Sequence, residues 1–307
     1  MALTALLRGD LAGGFALYER RWEGVLKSAR RPYLQPLWDG RPFPGQTLLV
    51  HGEQGFGDRM QLVRYLPLLA RMGGRVVLET SAPLSRLLAT VDGLAAIVRE
   101  GEPLPEFDLH CSMMSLPHLF RTRLDTIPAG VPYLSVPQEA GAAALELSAN
   151  PGAPLKVGVF WAGVAGYKND FFRSVPYECL EPLWDVPGVT WVILQKERRP
   201  EGFEALARER GWLDPITGVT DFADTAALID RVDLVIGVDT GVIHLAGALG
   251  KPTWLMIPAV PDWRWLLERE DSPWYPSMRL FRQQRLGEWP ELIARVAAAL
   301  AERAAAG

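Results

Sequence analysis

Apolar and polar positions along the chain change rhythm twice. Residues 4–24, TALLRGDLAGGFALYERRWEG, predict a helix, a Gly-containing break and a second helix rich in aromatics. The Pro-rich run RRPYLQPLWDGRPFPGQ then reads as a connector. From residue 47 short apolar runs alternate with helical ones: TLLVHGE, DRMQLVRYLPLLARMGG with a break at Pro67, RVVLETS, PLSRLLATVDG, AAIVRE and FDLHCSM. Residues 123–154 interrupt the alternation and read as an interdomain linker.

The alternation restarts with the strand KVGVFWAG and the polar, basic loop GYKNDFFRS. VPYECLEPLW predicts a helix, TWVILQKE a strand and EGFEALARERG a helix. DTAALIDRV follows as a helix with Asp224 as its N-cap. DLVIGVDT is a strand, GVIHLAGALG a helix ending at Gly250, and TWLMIP a strand. In WPELIARVAAALAERAAA, residues Trp289, Leu292, Ile293, Val296 and Leu300 share one helical face.

Two successive alternations predict an α/β protein with two domains, each built on its own parallel sheet. A helical hairpin occupies residues 1–30, one domain 45–135 and the other 153–307, with the last helix free to pack back. In open parallel sheets ligands bind beyond the carboxyl ends of the strands. Two domains facing across a cleft would set those ends on opposite walls. The hairpin reads as an N-terminal cap or as the last unit of a repeat array, which one copy does not establish.

Composition narrows the class. At 307 residues, 49% hydrophobic and 22% charged, the chain is globular, and a net charge of −4 argues against a dedicated nucleic-acid binder. Cys111 and Cys179 lie far apart with no CxxC pair, which predicts buried thiols in a reducing compartment and no zinc site. No apolar run approaches the ~18 residues of a membrane span. The expectation is a cytoplasmic protein, with peripheral contact at the inner face of the cell membrane left open.

The stretch GVDTGVIHLAGALGKP, residues 237–252, carries the strongest chemical signal. Hydrophobic-Asp-Thr-Gly marks aspartic proteases, but that chemistry needs two such motifs and this chain has one, in an α/β setting. As a strand-to-helix turn it makes an anion cradle: Gly241 admits a close backbone approach, the helix-start N–H groups favour a diphosphate, and Thr240 and His244 add donors. The plainer alternative has Asp239 or Thr240 capping the helix and His244 packed inside. Lys168 and Arg173 in GYKNDFFRS either neutralise phosphates or are simply solvated.

GEQGFGDRM, residues 52–60, has neither GxGxxG nor a Walker lysine. Its Asp58 is either an N-cap or, across a cleft, a general base for an incoming hydroxyl. No Asp-x-Asp occurs to ligate a metal-bridged diphosphate, so leaving-group charge would fall to fixed donors. Trp263, Trp265 and Trp274 suit either a sugar-binding wall or a protein interface.

DLVIGVDTGVIHLAGALGKP resembles the nucleotide-sugar signature of glycosyltransferase family 9, the ADP-heptose:lipopolysaccharide heptosyltransferases. GFGD before a helix and FFRSVP are similar to that family's base-carrying and diphosphate loops. DFADTAALIDRVDLVIGVDT and PDWRWLLEREDSPWYP resemble its bacterial tetratricopeptide-linked members, with residues 1–30 as a remnant of the repeat. The resemblance implies a GT-B fold, two Rossmann-like domains around a central cleft, and inverting transfer without a metal or other cofactor. It implies Asp58 as base, Arg173 at the diphosphate, Lys196 near the nucleoside, and Asp239, Thr240, Gly241 and His244 on phosphates and ribose. Partners would be a nucleotide sugar and a glycan, lipid-linked or protein acceptor, with no nucleic acid. Two rivals stand beside it: a non-catalytic nucleotide- or partner-binding module of a repeat protein, and a sugar-nucleotide epimerase.

Overall fold

The computed structural model describes residues 1–24, 30–141, 155–164 and 170–306. The chain opens with the hairpin α1 (Ala2–Leu7) and α2 (Leu11–Tyr18), continued by a 3-10 turn at Glu19–Glu23. Asp10 caps α2 by accepting the Gly13 N–H at 2.9 Å. Leu6, Leu11 and Phe15 are buried, and Arg21 forks onto Glu53 at 2.7 and 2.8 Å, which ties the hairpin to the first lobe.

That lobe comprises β1 (Thr47–His51), α3 (Phe56–Leu62), α4 (Leu66–Ala70), β2 (Arg75–Thr80), α5 (Ala82–Leu88), β3 (Ala96–Arg99), β4 (Leu109–Ser112) and α6 (Leu116–Leu119). Its four strands are parallel in the order β3-β2-β1-β4. The break expected at Pro67 falls one turn earlier, in a 3-10 segment at Val63–Tyr65. Pro67 then sits in the first turn of α4, where a missing N–H costs no helical bond.

The second lobe comprises β5 (Leu155–Val159), α7 (Asp170–Arg173), α8 (Glu181–Trp184), β6 (Val189–Ile193), α9 (Phe203–Glu209), α10 (Phe222–Asp230), β7 (Leu234–Val238), α11 (Gly241–Ala248), β8 (Thr253–Ile257), β9 (Met278–Arg282) and α12 (Trp289–Ala305). Five parallel strands run β6-β5-β7-β8-β9. Central β7 and β8 are buried at every position, as their continuous apolar runs require. The edge strand β9 is absent from the sequence reading: MRLFR mixes apolar with charged residues and leaves Arg279 exposed.

One expectation needs correction. The cap of α10 is Asp221, whose carboxylate accepts the Ala223 N–H at 2.9 Å. The helix begins three residues earlier than its apolar pattern suggests, so Asp224 lies in its first turn and accepts from Thr220. Helix α12 seats its apolar stripe on α8 within its own lobe. Within the described part of the linker the Tyr133 N–H bonds to Ala248 O at 3.0 Å; residues 142–154, with the expected domain start at 153, lie outside the described residues.

One continuous apolar core joins the lobes, and α3 packs directly on α11. The approach depends on Gly57, where a Cβ would stand 2.5 Å from His244 Cδ2. Gly57→Ala should therefore destabilise by about 1–3 kcal/mol through overpacking, against the roughly 1 kcal/mol by which alanine favours a helix. A lowered melting temperature is expected; an unchanged or raised one would contradict the close approach.

Candidate active site

Strand β7 delivers Asp239 to the carboxyl edge of the second sheet. Its carboxylate accepts the Trp265 Nε1–H at 2.9 Å and stands 3.6 Å from His244 Nε2. Burial pushes the carboxyl up, but the bonds and charge of His244, the Trp265 bond and the Arg264 charge outweigh it and hold Asp239 below the usual range. His244 is 4% exposed, its Nδ1 lies 2.8 Å from the Tyr275 hydroxyl, and its ring stacks on Trp265. Nδ1 is thus engaged by Tyr275, while Nε2 faces the Asp239 carboxylate. Thr240 occupies the N-cap position of α11 without making the cap bond, and its buried hydroxyl has no partner. Gly241, expected to admit a ligand, faces Met60 of the other lobe and Phe222.

On the facing wall Asp58 is the third residue of α3. One carboxylate oxygen accepts the Gly55 N–H at 2.8 Å, closing the helix start, and the other is bonded by Arg264 from the opposite lobe. Arg264 is 6% exposed, donates to Asp262 at 2.8 Å and to the Gln61 side chain, and lies over the Trp263 ring. Burial lowers its pKa, but Asp262, Asp58 and Asp239 together raise it well past the ordinary value, so the guanidinium stays charged. A second cross-lobe tie runs from Arg86 to Asp221 and Asp224 at 3.1 and 3.3 Å.

Arg173 donates to Asp170 at 2.9 Å, and Arg198 bonds the other Asp170 oxygen. Arg198 holds a left-handed φ of 56°. These two guanidiniums follow β5 and β6, and β5 lies between β6 and β7, so Arg173 and Asp239 leave neighbouring strands. Lys196 donates to Val219 O at 3.0 Å, beside the start of α10. Lys168 lies outside the described residues.

Trp263, Trp265 and Trp274 are 6%, 0% and 0% exposed, which makes them internal framework in place of a sugar-binding wall or protein interface. Cys111 is buried, whereas Cys179 is only partly so; burial raises both thiols. Sequence reasoning missed Arg264, Arg198 and Tyr275. An arginine between two tryptophans, two residues after an aspartate able to cap a turn, was the available signal for the first.

On adjacent β1 and β4, His51 Nε2 and His110 Nδ1 stand 3.4 Å apart beside a cavity of about 90 Å³ that Glu19 and Trp22 of the hairpin help to line. Burial, then the charges of His110, Arg31 and Arg21, push the His51 pKa down to about 3. Among the described residues no group of three or more His, Cys, Asp or Glu could hold a metal ion. No described helix is long and apolar enough to cross a membrane.

Two parallel-sheet lobes meeting at the carboxyl ends of their strands, with a carboxylate on one wall and a strand–Asp-Thr-Gly–helix turn on the other, define the GT-B class. Residues 190–254 match the model of glycosyltransferase family 9 (heptosyltransferase). Its fold is shared with the family 9 glycosyl transferase of Veillonella parvula, with 12% identity, a TM-score of 0.60, and 88% of this chain and 98% of that one covered. E. coli ADP-heptose lipopolysaccharide heptosyltransferase II matches at 16% identity and a TM-score of 0.55, covering 84% and 99%. The iron-containing dodecameric glycosyltransferase TibC of enterotoxigenic E. coli matches at 11% and 0.54, covering 86% and 76%. Protein FlbA of Caulobacter vibrioides is 30% identical over 99% of this chain, which spans 54% of that relative's length.

The neutral His51 generates a pH dependence. Its unfolded form takes up a proton near pH 6.5 that the folded form refuses until about pH 3, so stability falls as pH drops through that window. Between pH 7 and pH 4.5 the loss from this residue should be roughly 2–3 kcal/mol. Urea unfolding of wild type and His51→Asn at both values should show a smaller acid loss in the variant; parallel losses would contradict the buried neutral imidazole.

Proposed function

We propose that the chain is an inverting, metal-independent glycosyltransferase. It moves a sugar from a nucleotide-diphosphate sugar to a hydroxyl of a glycan, lipid-linked or protein acceptor. One observation carries the reading: Asp58 and the Asp239–His244 turn come from the starts of two helices, one per lobe, that pack directly on each other. A base on one wall and an anion cradle on the other is the arrangement in-line displacement needs.

In this mechanism a free lone pair of Asp58 takes the acceptor proton as the hydroxyl oxygen attacks the anomeric carbon. The bond from that carbon to the diphosphate oxygen breaks on the opposite face, which inverts the centre. Charge on the leaving nucleotide diphosphate is met by Arg173, the unpartnered Thr240 hydroxyl and the amides opening α11. Lys168 adds charge from the same loop, and Lys196 stands toward the nucleoside. Gly241 keeps the turn compact, while His244, bonded to Tyr275 and close to Asp239, holds it in place.

Family members whose structures resemble this one are named for ADP-heptose, which makes adenine nucleotides the first donors to try. TibC is named as iron-containing, so metal independence is argued from the fixed donors and tested directly. A cytoplasmic setting, with contact at the inner membrane face, belongs to the same proposal. The closed contact between α3 and α11 favours one second reading, a non-catalytic nucleotide-binding module.

Thermal stabilisation against a panel of nucleotide diphosphates and nucleotide sugars, with EDTA present, should give a shift for one nucleotide. Asp58→Ala should keep that affinity within about twofold while transfer falls by at least ~100-fold, the scale of a lost general base. Equal loss of binding and turnover would contradict the base role. Binding without transfer in the wild type would favour the non-catalytic module.

A further inference from the structure

We infer that Arg264 is the positioning residue for Asp58, delivered from the opposite lobe by a turn that also holds the donor loop. The inference rests on the glycosyltransferase reading and deepens it. Its basis is the 3-10 turn Trp263–Trp265, which Asp262 caps by accepting the Arg264 N–H at 3.1 Å.

Three consecutive side chains of this turn reach three parts of the molecule. Trp263 meets Phe15 of the hairpin edge-on, with ring centroids 5.4 Å apart. Arg264 bonds Asp58 and Gln61, both on α3. Trp265 donates to Asp239 and stacks on His244. The turn is held from behind, since Arg282 of β9 donates to Leu266 O at 2.9 Å and also to Trp265 O. Leu266 keeps a left-handed φ of 52°, a conformation that persists only where surroundings impose it.

The guanidinium is therefore fixed by its own lobe before it meets Asp58. Clamped between the Gly55 N–H and Arg264, the Asp58 carboxylate has its remaining lone-pair directions set by a residue 206 positions away. Its aim as a base is defined only while the lobes are closed and the donor-side turn is in place. Lysine retains the charge but not the planar fork that spans Asp58, Gln61 and Asp262 together.

The test measures kcat and donor KM, with nucleotide affinity by calorimetry, for wild type, Arg264→Gln, Arg264→Lys, Asp58→Asn and the double variant Arg264→Gln/Asp58→Asn. Arg264→Gln should lower kcat by about 100-fold, the scale of a misplaced reacting group, with donor KM and nucleotide affinity within about twofold. Arg264→Lys should recover part of that loss. The double variant should be no slower than Asp58→Asn, because Arg264 acts through that carboxylate. Should Arg264→Gln fail to fold, the same cycle is run with Arg264→Lys. Losses that multiply in the double variant, or that appear in donor affinity, overturn the inference. An active wild type with an unaffected Arg264 variant overturns it alone, whereas a wild type inactive with every donor overturns the transferase reading and this inference with it.

Discussion

Two guanidinium groups buried between the lobes hold this molecule in its closed arrangement. Arg264 reaches from the second lobe to Asp58 and Gln61. Arg64 reaches the other way, donating to Trp274 O at 2.7 Å and the Tyr133 hydroxyl at 2.9 Å, with its plane over Tyr275. A buried charge deprived of one partner typically costs about 3–5 kcal/mol. Removing a partner while the lobes stay closed would leave either cation in that position. The contact of α3 with α11, the position of Asp58 and the enclosure of His244 all follow from keeping those charges satisfied.

The hairpin shares in this arrangement. Phe15 rests on the turn that carries Arg264, and Arg21 pairs with Glu53 in the loop leading to Asp58. A movement of the hairpin is therefore felt on both walls of the candidate site. The unpartnered Thr240 hydroxyl and the Arg173–Arg198 pair lie at the strand ends of the second lobe. Their location on the second lobe agrees with donor binding there, while the lobe that carries Asp58 would face the acceptor.

The parallel-sheet architecture was legible because strands buried on both faces read as short apolar runs between amphipathic helices. β9 escaped notice because an edge strand need be apolar on only part of its length, and MRLFR offers two arginines. Asp58 and Asp239 stood out because both follow a strand and open a helix. Their partners did not, since the Arg264 contact spans 206 residues and the His244–Tyr275 contact 31, and no local pattern encodes such pairings. The tryptophans illustrate the same limit: their number invites a surface role, but indole burial is decided by packing that one sequence does not display.

The central claim is that the 239–244 turn and the Asp58 helix form one site. Hydrogen–deuterium exchange, with and without the nucleotide diphosphate that stabilises the protein most, tests it most directly. Slower exchange is expected both in residues 238–248, where the nucleotide binds, and in residues 55–62, which pack against them from the other lobe. Protection confined to one lobe, or lying elsewhere in the chain, would contradict the shared site.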